Sequence, residues 1–439
     1  MADPIILLTY ILLGVIIGSA LSIIPSLHVY NVAPIFILLA PTLGISDTYL
    51  VFFLLGNVIG YSMLNMISTF YFSAPDDTTF MVLMPSQVML RDGRGIEAVL
   101  LGGLGALIVA LIFAVISPIL LIVIPPLISI IIPNMHWLIA LIMFYMLLSE
   151  FPKDVGVGKS RWKRFKAGWR NLAAGYLTFI LAGILGFIVM FGNILPAEVA
   201  YQGLMPAFIG FFAVPSLIMN FFASPNIPEQ RIVKSLDATP IDVFKGSFAG
   251  FLGGSFAATA PAITGGMGAI IVGQAIGQRE ESQFIISMGA NRFAYYVGSF
   301  FLLFVPGVRV VRGGMANLAA MVYIPGKYME FYVAAAGIAI GGCIAFIILV
   351  LTAIGIGKWL PKIRYDILSG VIMVFIIALV YFLTGIIGLG IMIVATGIGL
   401  LPVLYNSRRL HCLSAILLPL TLSMTGLADD FAAILGVKI

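Results

Sequence analysis

Long apolar runs, separated by short polar stretches, follow one another along most of this chain. A helix that crosses the hydrocarbon core of a bilayer needs about 20 mainly apolar residues, and most of the runs reach that length. Alternation with a period of two, which would indicate a membrane β-barrel, does not occur. The pattern predicts spanning helices at about residues 5–24, 49–70, 172–190, 205–222, 282–305, 331–356, 367–383, 386–401 and 410–425, with two more between 96 and 148 and one that ends near 260.

Two further apolar pieces are too short or too interrupted for full spans. The first, residues 32–43, lies among Pro25, Pro34 and Pro41, and the second, residues 261–277, is rich in Gly. Proline removes a backbone donor and interrupts the helical hydrogen-bond ladder, so we expect paired re-entrant or broken helices here. Together with the spans, they predict an all-α polytopic membrane protein with about 12–14 membrane segments.

One skeleton of small residues, G-x3-G-S-x5-P, occurs twice, starting at Gly14 and at Gly250. A second skeleton, P-x5-R-x-G-x4-A, also occurs twice, starting at Pro85 and at Pro306. An internal repeat of this kind predicts two related halves. The expected division is a first transmembrane repeat at residues 1–222, a polar cytoplasmic linker at 223–245 and a second transmembrane repeat at 246–439.

The basic residues predict how the chain is oriented. Residues 153–170 carry seven basic side chains against one Asp, and the positive-inside rule places this segment in the cytoplasm. Three membrane segments plus four spans in each half give an odd number, so the two repeats are expected to be inverted, as in many secondary transporters. Arg309 and Arg312 would then lie on the outer side, against the rule. Parallel repeats stay an alternative if either broken segment does not cross.

Composition supports the membrane prediction and excludes other classes. Of the 439 residues, 61% are apolar and only 9% are charged, far from the roughly 25% charged residues of a soluble domain. We therefore expect a multi-pass protein of the cell membrane. The net charge of +5 comes mostly from residues 153–170, which favours contact with membrane lipid rather than with nucleic acid. No spaced set of His, Cys and Glu predicts a metal site, no motif predicts an enzyme, and no cofactor is expected.

The two motif copies supply the chemistry that a solute site near mid-membrane needs. A helix broken by proline leaves backbone N–H and C=O groups free to face a solute, and a helix N-terminus aimed at the break attracts an anion while free carbonyls suit Na⁺. The predicted substrate-binding residues are Ser19, Ser22, Pro25, Ser26, His28 and Asn31 in the first copy, Ser255, Thr259, Pro261, Thr264, Gly265 and Gly266 in the second, and Asn57, Asn291 and Arg292 on the following spans. The alternative is that G-x3-G-S only packs helices closely.

Three arginines are candidate partners for an anion, because a guanidinium binds carboxylate with two parallel hydrogen bonds. Arg91 and Arg312 occupy matching positions of the second skeleton, and Arg292 lies within a predicted span. Arg91 could equally be a cytoplasmic loop charge, and Arg292 could reach from the span to the membrane interface. His28 could carry a coupling proton or be a polar lining residue.

With these residues in view, the chain resembles the TctA-type large permease of tripartite tricarboxylate transporters, particularly its stand-alone archaeal branch. The resemblance rests on the two G-x3-G-S-x5-P motifs, on Ser73-Ala-Pro75 followed by Gly93-Arg94-Gly95 and Ala98, and on Arg312-Gly-Gly after the helix that carries Asn291. Family members commonly have Pro-Gly at both motif centres, whereas this chain has Pro25-Ser26 and Pro261-Ala262.

The resemblance implies a carrier of small carboxylates that is coupled to Na⁺ or H⁺ and works by an elevator motion. It also implies two partners of classical members, a small membrane subunit and an extracytoplasmic solute-binding protein. The sequence leaves the oligomeric state open, with a homodimer as one option. The alternative function is a translocase of lipid-linked phosphate carriers, which would need an elongated apolar groove lined by Arg91 or Arg312.

Overall fold

A computed structural model describes residues 3–150, 160–223, 225–233, 235–260, 263–276, 280–308 and 310–437. Within these ranges the regular structure is helical and contains no β-strand, as the sequence predicts. The α-helices are α1 (Pro4–Ser22), α2 (Val29–Leu39), α3 (Asp47–Phe72), α4 (Leu83–Arg91), α5 (Gly95–Ile131), α6 (Met135–Leu148), α7 (Arg161–Phe191), α8 (Leu204–Phe208), α9 (Val214–Ala223), α10 (Pro240–Thr259), α11 (Gly265–Ile276), α12 (Glu281–Phe301), α13 (Gly314–Val322), α14 (Tyr328–Trp359), α15 (Tyr365–Leu404), α16 (Ser414–Met424) and α17 (Ala428–Leu435).

Polar residues fix where the first helix of each half begins. Asp3 caps α1 by accepting a hydrogen bond of 2.8 Å from the backbone N–H of Ile5. Thr239 and Asp242 form a capping box at α10, in which each side chain accepts a hydrogen bond from the backbone N–H of the other. In both helices proline occupies the first turn, where no helical partner for its missing N–H is needed.

The helices break where the sequence places proline or glycine. Pro25 lies between α1 and α2, followed by Ser26 with a φ of 60°. In α15, Gly385 has a φ of 68° and separates two helical parts, which match the spans predicted at 367–383 and 386–401. The second motif also breaks, between α10 and α11, but Pro261 itself lies outside the described residues. That the short pieces are re-entrant stays a prediction.

Seven helical stretches of the described chain are long and apolar enough to cross a membrane. They comprise α1, α3, α5, α7, the α8–α9 stretch, α14 with the turn that follows it, and α15. The chain is therefore a multi-pass membrane protein. The remaining predicted spans are occupied by shorter or more polar helices, among them α10 and α12.

The chain forms two compact units, and each takes residues from both halves of the sequence. Unit 1 comprises Met1–Ile132 and Ser224–Leu368, and unit 2 comprises Pro133–Ala223 and Ser369–Ile439. The predicted division at residues 222 and 246 thus describes a repeat along the chain and does not separate the packing units. Every predicted site residue that the structure describes belongs to unit 1.

Unit 1 contains two helix pairs that pack in the same way. Gly14 and Gly18 of α1 lie against backbone atoms of α3, where a Cβ on Gly18 would collide with the backbone of Asn57. Gly250 and Gly254 of α10 lie in the same manner against α12, and a Cβ on Gly254 would collide with the backbone of Asn291. The repeated small residues therefore do pack helices closely, and they bring both motif copies onto an Asn-bearing helix.

Unit 2 has its own buried polar contact. The side chains of Glu150 and His411 are 2% and 0% exposed, with 2.8 Å between Oε2 and Nε2. The same Oε2 accepts a hydrogen bond from the backbone N–H of Arg408. Since α7 packs on α16 beside this pair, we assign it a structural role.

Candidate functional site

The polar centre of unit 1 is the 73–82 segment, which connects α3 to α4 outside the spanning helices. Asp76 organises it through a local turn. Its Oδ1 accepts hydrogen bonds from the backbone N–H groups of Thr78 and Thr79, both at 3.0 Å, and from both threonine hydroxyls at 2.7 and 2.9 Å. Four donors on one oxygen hold this carboxylate in place and favour its charged form.

The second oxygen of Asp76 faces a buried arginine on α12. Arg292 is 0% exposed, and its Nη2 lies 3.0 Å from Oδ2 of Asp76. Nη1 of the same guanidinium donates a hydrogen bond of 3.2 Å to the hydroxyl of Thr78. Burial alone would raise the pKa of Asp76, but the guanidinium and the Thr78 hydrogen bond outweigh it and hold the pKa below its ordinary value.

Two tyrosines enclose this ion pair. The guanidinium carbon of Arg292 lies 5.0 Å from the ring centroid of Tyr61 on α3 and 5.2 Å from that of Tyr296 on α12. Both hydroxyls donate to Oδ2 of Asp76, at 3.3 and 3.4 Å. A desolvated cation–π contact is worth about 2 kcal/mol. The rings therefore stabilise the charge on Arg292 and also exclude water from it.

Asp77, the next residue, is bound much more loosely. Its Oδ1 accepts one long hydrogen bond of 3.5 Å from the hydroxyl of Tyr296, and in the described part of the chain it has no ion pair. Its side chain is half-buried. Burial and, after it, the neighbouring charge of Asp76 raise the pKa of Asp77, while Arg292 opposes the rise.

His28 lies on the other side of the tyrosines. Its ring centroid is 4.5 Å from that of Tyr61 and 5.3 Å from that of Tyr296. Its Nδ1 accepts a hydrogen bond of 3.3 Å from the backbone N–H of Tyr30 and so caps α2. Burial lowers the pKa of His28, and Asp76 opposes the shift. These contacts describe a neutral capping residue, which favours the polar lining interpretation over the proton carrier.

The two motif copies leave matching polar atoms without hydrogen-bond partners among the described residues. On the first copy these are the hydroxyl of Ser19 and both amide atoms of Asn57. On the second they are the hydroxyl of Ser255 and Oδ1 of Asn291. A buried polar atom without a partner costs about 1–3 kcal/mol, so its repetition at equivalent positions calls for an explanation other than packing. A bound polar solute would supply one.

The other predicted residues fall into four groups. The hydroxyls of Ser22 and Thr259 donate hydrogen bonds to backbone carbonyls about one turn earlier in their own helices. Ser26 and Thr264 have buried hydroxyls without a partner in the described chain. Asn31 is buried in α2. Pro25 forms the break between α1 and α2, and Pro261 lies outside the described residues.

The N-terminus of α11 contacts the 73–82 segment directly. A Cβ on Gly265 would lie 3.2 Å from the side chain of Thr78, and one on Gly266 would lie 2.5 Å from the carbonyl oxygen of Asp77. The carbonyl of Gly265 also accepts a hydrogen bond of 2.8 Å from Nδ2 of Asn291. The second motif copy and the carboxylate segment of the first half therefore lie in direct contact.

The two anion candidates of the second skeleton lie in different surroundings. Arg91 ends α4 and is exposed. Arg312 is half-buried in the loop before α13, and its Nε has no partner among the described residues. Arg292 is fully buried within the protein and paired with Asp76.

Sequence reasoning missed Asp76, Asp77, Thr78, Tyr61 and Tyr296. The signal that could have found the first three was two adjacent carboxylates followed by two threonines in a chain with only 9% charged residues. Such groups next to apolar spans are costly unless they are paired, so they are functional candidates. Nothing in the sequence pairs the tyrosines with Arg292. In the described residues no group of three or more His, Cys, Asp and Glu could hold a metal ion.

A family model described as "Tripartite tricarboxylate transporter TctA family" matches residues 8–414 of the chain. The chain belongs to this family. It is also similar to the uncharacterized protein MJ1079 of Methanocaldococcus jannaschii, with 25% identity over 422 residues that cover 94% of this chain and 97% of the other. This archaeal relative agrees with the predicted stand-alone archaeal branch. No solved structure matches. Membership of the TctA family makes the chain a membrane transporter of the tricarboxylate type.

Proposed function

We propose that the protein is a secondary active transporter for small organic anions such as carboxylates, driven by a gradient of Na⁺ or H⁺. The observation that carries the proposal is the matched pair of unpaired polar groups, Ser19 with Asn57 and Ser255 with Asn291. Membership of the TctA family supports the class of solute. The hydroxyls of Ser19 and Ser255 and Nδ2 of Asn57 can donate hydrogen bonds to a carboxylate. Nδ2 of Asn291 already donates to the carbonyl of Gly265, so its unpaired Oδ1 can only accept a hydrogen bond, such as one from a hydroxyl of the solute.

An elevator motion is part of the proposal. Its support is that every described site residue belongs to unit 1, including residues from both sequence halves. A site built within a single compact unit can be carried as a whole, with its hydrogen bonds intact. Carriers of this kind commonly assemble through the part that does not carry the solute, so we include a homodimer in the proposal.

The accessory partners are a separate part of the proposal. The resemblance implies a small membrane subunit and an extracytoplasmic solute-binding protein, whereas the archaeal branch implies a chain that acts alone. Uptake by the single purified chain distinguishes these: full activity supports the stand-alone form, and activity that requires added subunits supports the tripartite form.

The lipid-carrier alternative receives no comparable support. In the described chain, an apolar groove of about 420 Å³ lies between α5 and α10 and is lined by residues such as Ile108, Ile112, Phe244 and Phe248. No arginine lines it. A groove that holds a lipid-linked phosphate needs a cation at its polar end.

Uptake into proteoliposomes tests the proposal. The purified chain is reconstituted and supplied with labelled citrate or succinate under a Na⁺ gradient, a pH gradient or no gradient, with protein-free vesicles as the control. We expect accumulation above equilibrium under one of the two gradients. Equal labelling in all conditions for both solutes would overturn the proposed function.

A further inference from the structure

We infer that Asp77 is the proton-binding group of this carrier, so that one proton travels with the solute. The inference rests on the proposed function and deepens it by naming the coupling ion and the residue that takes it. It is carried by the charge balance and the hydrogen bonding of the cluster around the 73–82 segment.

The cluster contains one charge too many. Asp76 and Arg292 form an ion pair with 3.0 Å between Oδ2 and Nη2, and this pair is neutral. Asp77 adds a second carboxylate, and in the described residues no further cation pairs with it. The side chain of Asp77 is half-buried. Partial withdrawal from water without a countercharge destabilises the charged form of a carboxylate and favours uptake of a proton.

The described neighbours of Asp77 do not supply a positive charge that could pair with its carboxylate. From α3 and α12 the titratable groups that face it are Tyr61, Tyr295 and Tyr296, which are neutral hydroxyls. His28 is buried, caps α2 and packs on the tyrosine rings. From α11 the neighbours are Gly265 and Gly266, which have no side chain. Arg292 faces both carboxylates, but its ion pair is with Asp76.

The difference between the two carboxylates assigns their roles. Asp76 is held by four donors on Oδ1 and by Arg292 on Oδ2, so it stays ionised and fixes the segment. Asp77 has one hydrogen bond of 3.5 Å, from Tyr296, so little opposes its protonation. The raised pKa of Asp77, caused by burial and by Asp76, agrees with this assignment.

A proton fits Asp77 better than a metal cation does. Hard cations need a shell of several oxygen ligands, and among the described residues no group of three or more His, Cys, Asp and Glu could hold a metal ion. Protonation forms one O–H bond on the carboxylate with a proton from water on one side of the membrane. The neutral group can then cross the low-dielectric interior, and its O–H bond breaks when the proton returns to water on the other side. Nothing else is consumed.

The first experiment measures the proton itself and does not depend on transport. Infrared difference spectra of the purified full chain are recorded as the pH is raised, and they report the C=O band of a protonated carboxyl group. We expect this band to persist at pH values above those at which an ordinary carboxyl group loses its proton. The band should be lost in Asp77→Asn and retained in Asp92→Asn. Asp92 is exposed at the end of α4 and serves as the matched control. A band that Asp77→Asn leaves unchanged, or no such band, would overturn the inference.

The second experiment separates this inference from the proposed function. Vesicles loaded with unlabelled citrate can exchange this citrate for labelled citrate without net proton movement. Accumulation driven by a pH gradient, in contrast, requires net proton movement. We expect Asp77→Asn to reduce accumulation at least tenfold more than it reduces exchange, and Asp77→Glu to recover part of the accumulation. Equal losses of exchange and accumulation in Asp77→Asn would contradict a role in proton coupling. If Asp77→Asn still accumulates citrate under a pH gradient, or if accumulation depends on a Na⁺ gradient alone, Asp77 is not the proton-binding group. The proposed carrier function is not affected by either result. A persistent Asp77 band without transport of either citrate or succinate supports proton binding by Asp77 and contradicts the proposed function.

Discussion

Arg292 on α12 and Asp76 in the 73–82 segment come from opposite halves of the sequence and meet with 3.0 Å between Nη2 and Oδ2. The guanidinium is 0% exposed, and the carboxylate is held from its other side by Thr78 and Thr79. Removing one partner of a buried ion pair leaves the other charge unpaired, which costs more than the pair contributes. This contact therefore ties the two halves of unit 1 together.

Loss of Arg292 should destabilise the protein strongly. For Arg292→Met we expect a loss of up to about 3–5 kcal/mol in the free energy of unfolding, because Asp76, whose side chain is only 20% exposed, loses its countercharge. Thermal denaturation in detergent measures the change. Arg364→Gln is the matched control, because it breaks an exposed pair with Asp366 and should cost only about 0–1 kcal/mol. Equal losses in both variants would show that burial does not govern the effect.

A second variant tests whether the charge or the volume matters. Adding Asp76→Asn to Arg292→Met removes the orphaned charge and keeps the shape of the segment. We expect the double variant to regain stability relative to Arg292→Met alone. A further loss in the double variant would contradict the proposed pairing.

Relief of backbone strain at Ser26 should stabilise the chain. Ser26 has a φ of 60°, in the left-handed region that costs a residue with a Cβ roughly 1–2 kcal/mol and costs glycine almost nothing. Glycine also loses about 0.4–1 kcal/mol more entropy on folding, so we expect Ser26→Gly to gain about 1 kcal/mol or less. Ser22→Gly, inside α1, should instead lose at least 0.5–1 kcal/mol or so. Thermal denaturation of the pair gives the sign, and a loss in Ser26→Gly would contradict the strain argument.

The unpaired hydroxyls of Ser19 and Ser255 should contribute to citrate uptake and should not contribute to the stability of the fold. Ser19 and Ser255 have hydroxyls without partners in the described chain, so we expect Ser19→Ala and Ser255→Ala to raise the free energy of unfolding by up to about 1–3 kcal/mol while citrate uptake falls severalfold. Ser62→Ala is the control, because its hydroxyl donates to the carbonyl of Ile59. Undiminished uptake in both variants would remove these residues from the site.

Stability should depend on the protonation of Asp77. The folded state raises the pKa of this carboxyl, so between its ordinary and its raised pKa the folded chain binds the proton and the unfolded chain does not. Asp77 therefore contributes stability at low pH that is lost as pH rises, by at most about 1.4 kcal/mol per pH unit. Denaturation of the parent and of Asp77→Asn is compared between about pH 5 and 8. A difference between the two that stays constant, or that changes with the opposite sign, would contradict the raised pKa.

The apolar pattern was enough to predict the helical membrane fold and several of its breaks. The sequence placed a boundary between residues 383 and 386, and Gly385 breaks α15 there with a φ of 68°. The two G-x3-G-S motifs predicted close helix packing, and Gly18 and Gly254 do lie on neighbouring backbones. These features were predictable because the spacing of small or apolar residues along one helix determines them.

The centre of the site was not predictable in this way. Asp76 and Arg292 belong to different halves, and no spacing rule relates a loop in one half to a helix in the other. The sequence also could not show that the fully buried guanidinium of Arg292 pairs with Asp76. The roles of Asp76 and Asp77 also differ only through their hydrogen bonds, which adjacent identical letters cannot reveal.

The seam between α1 and α3 limits how the carrier can move. Because Gly14 and Gly18 seat one helix directly on the backbone of the other, the two cannot slide past each other without their main chains colliding. Ser19 and Asn57 are thus locked into a common rigid piece. Under the proposed elevator motion, a solute held by these two residues would therefore move together with both helices.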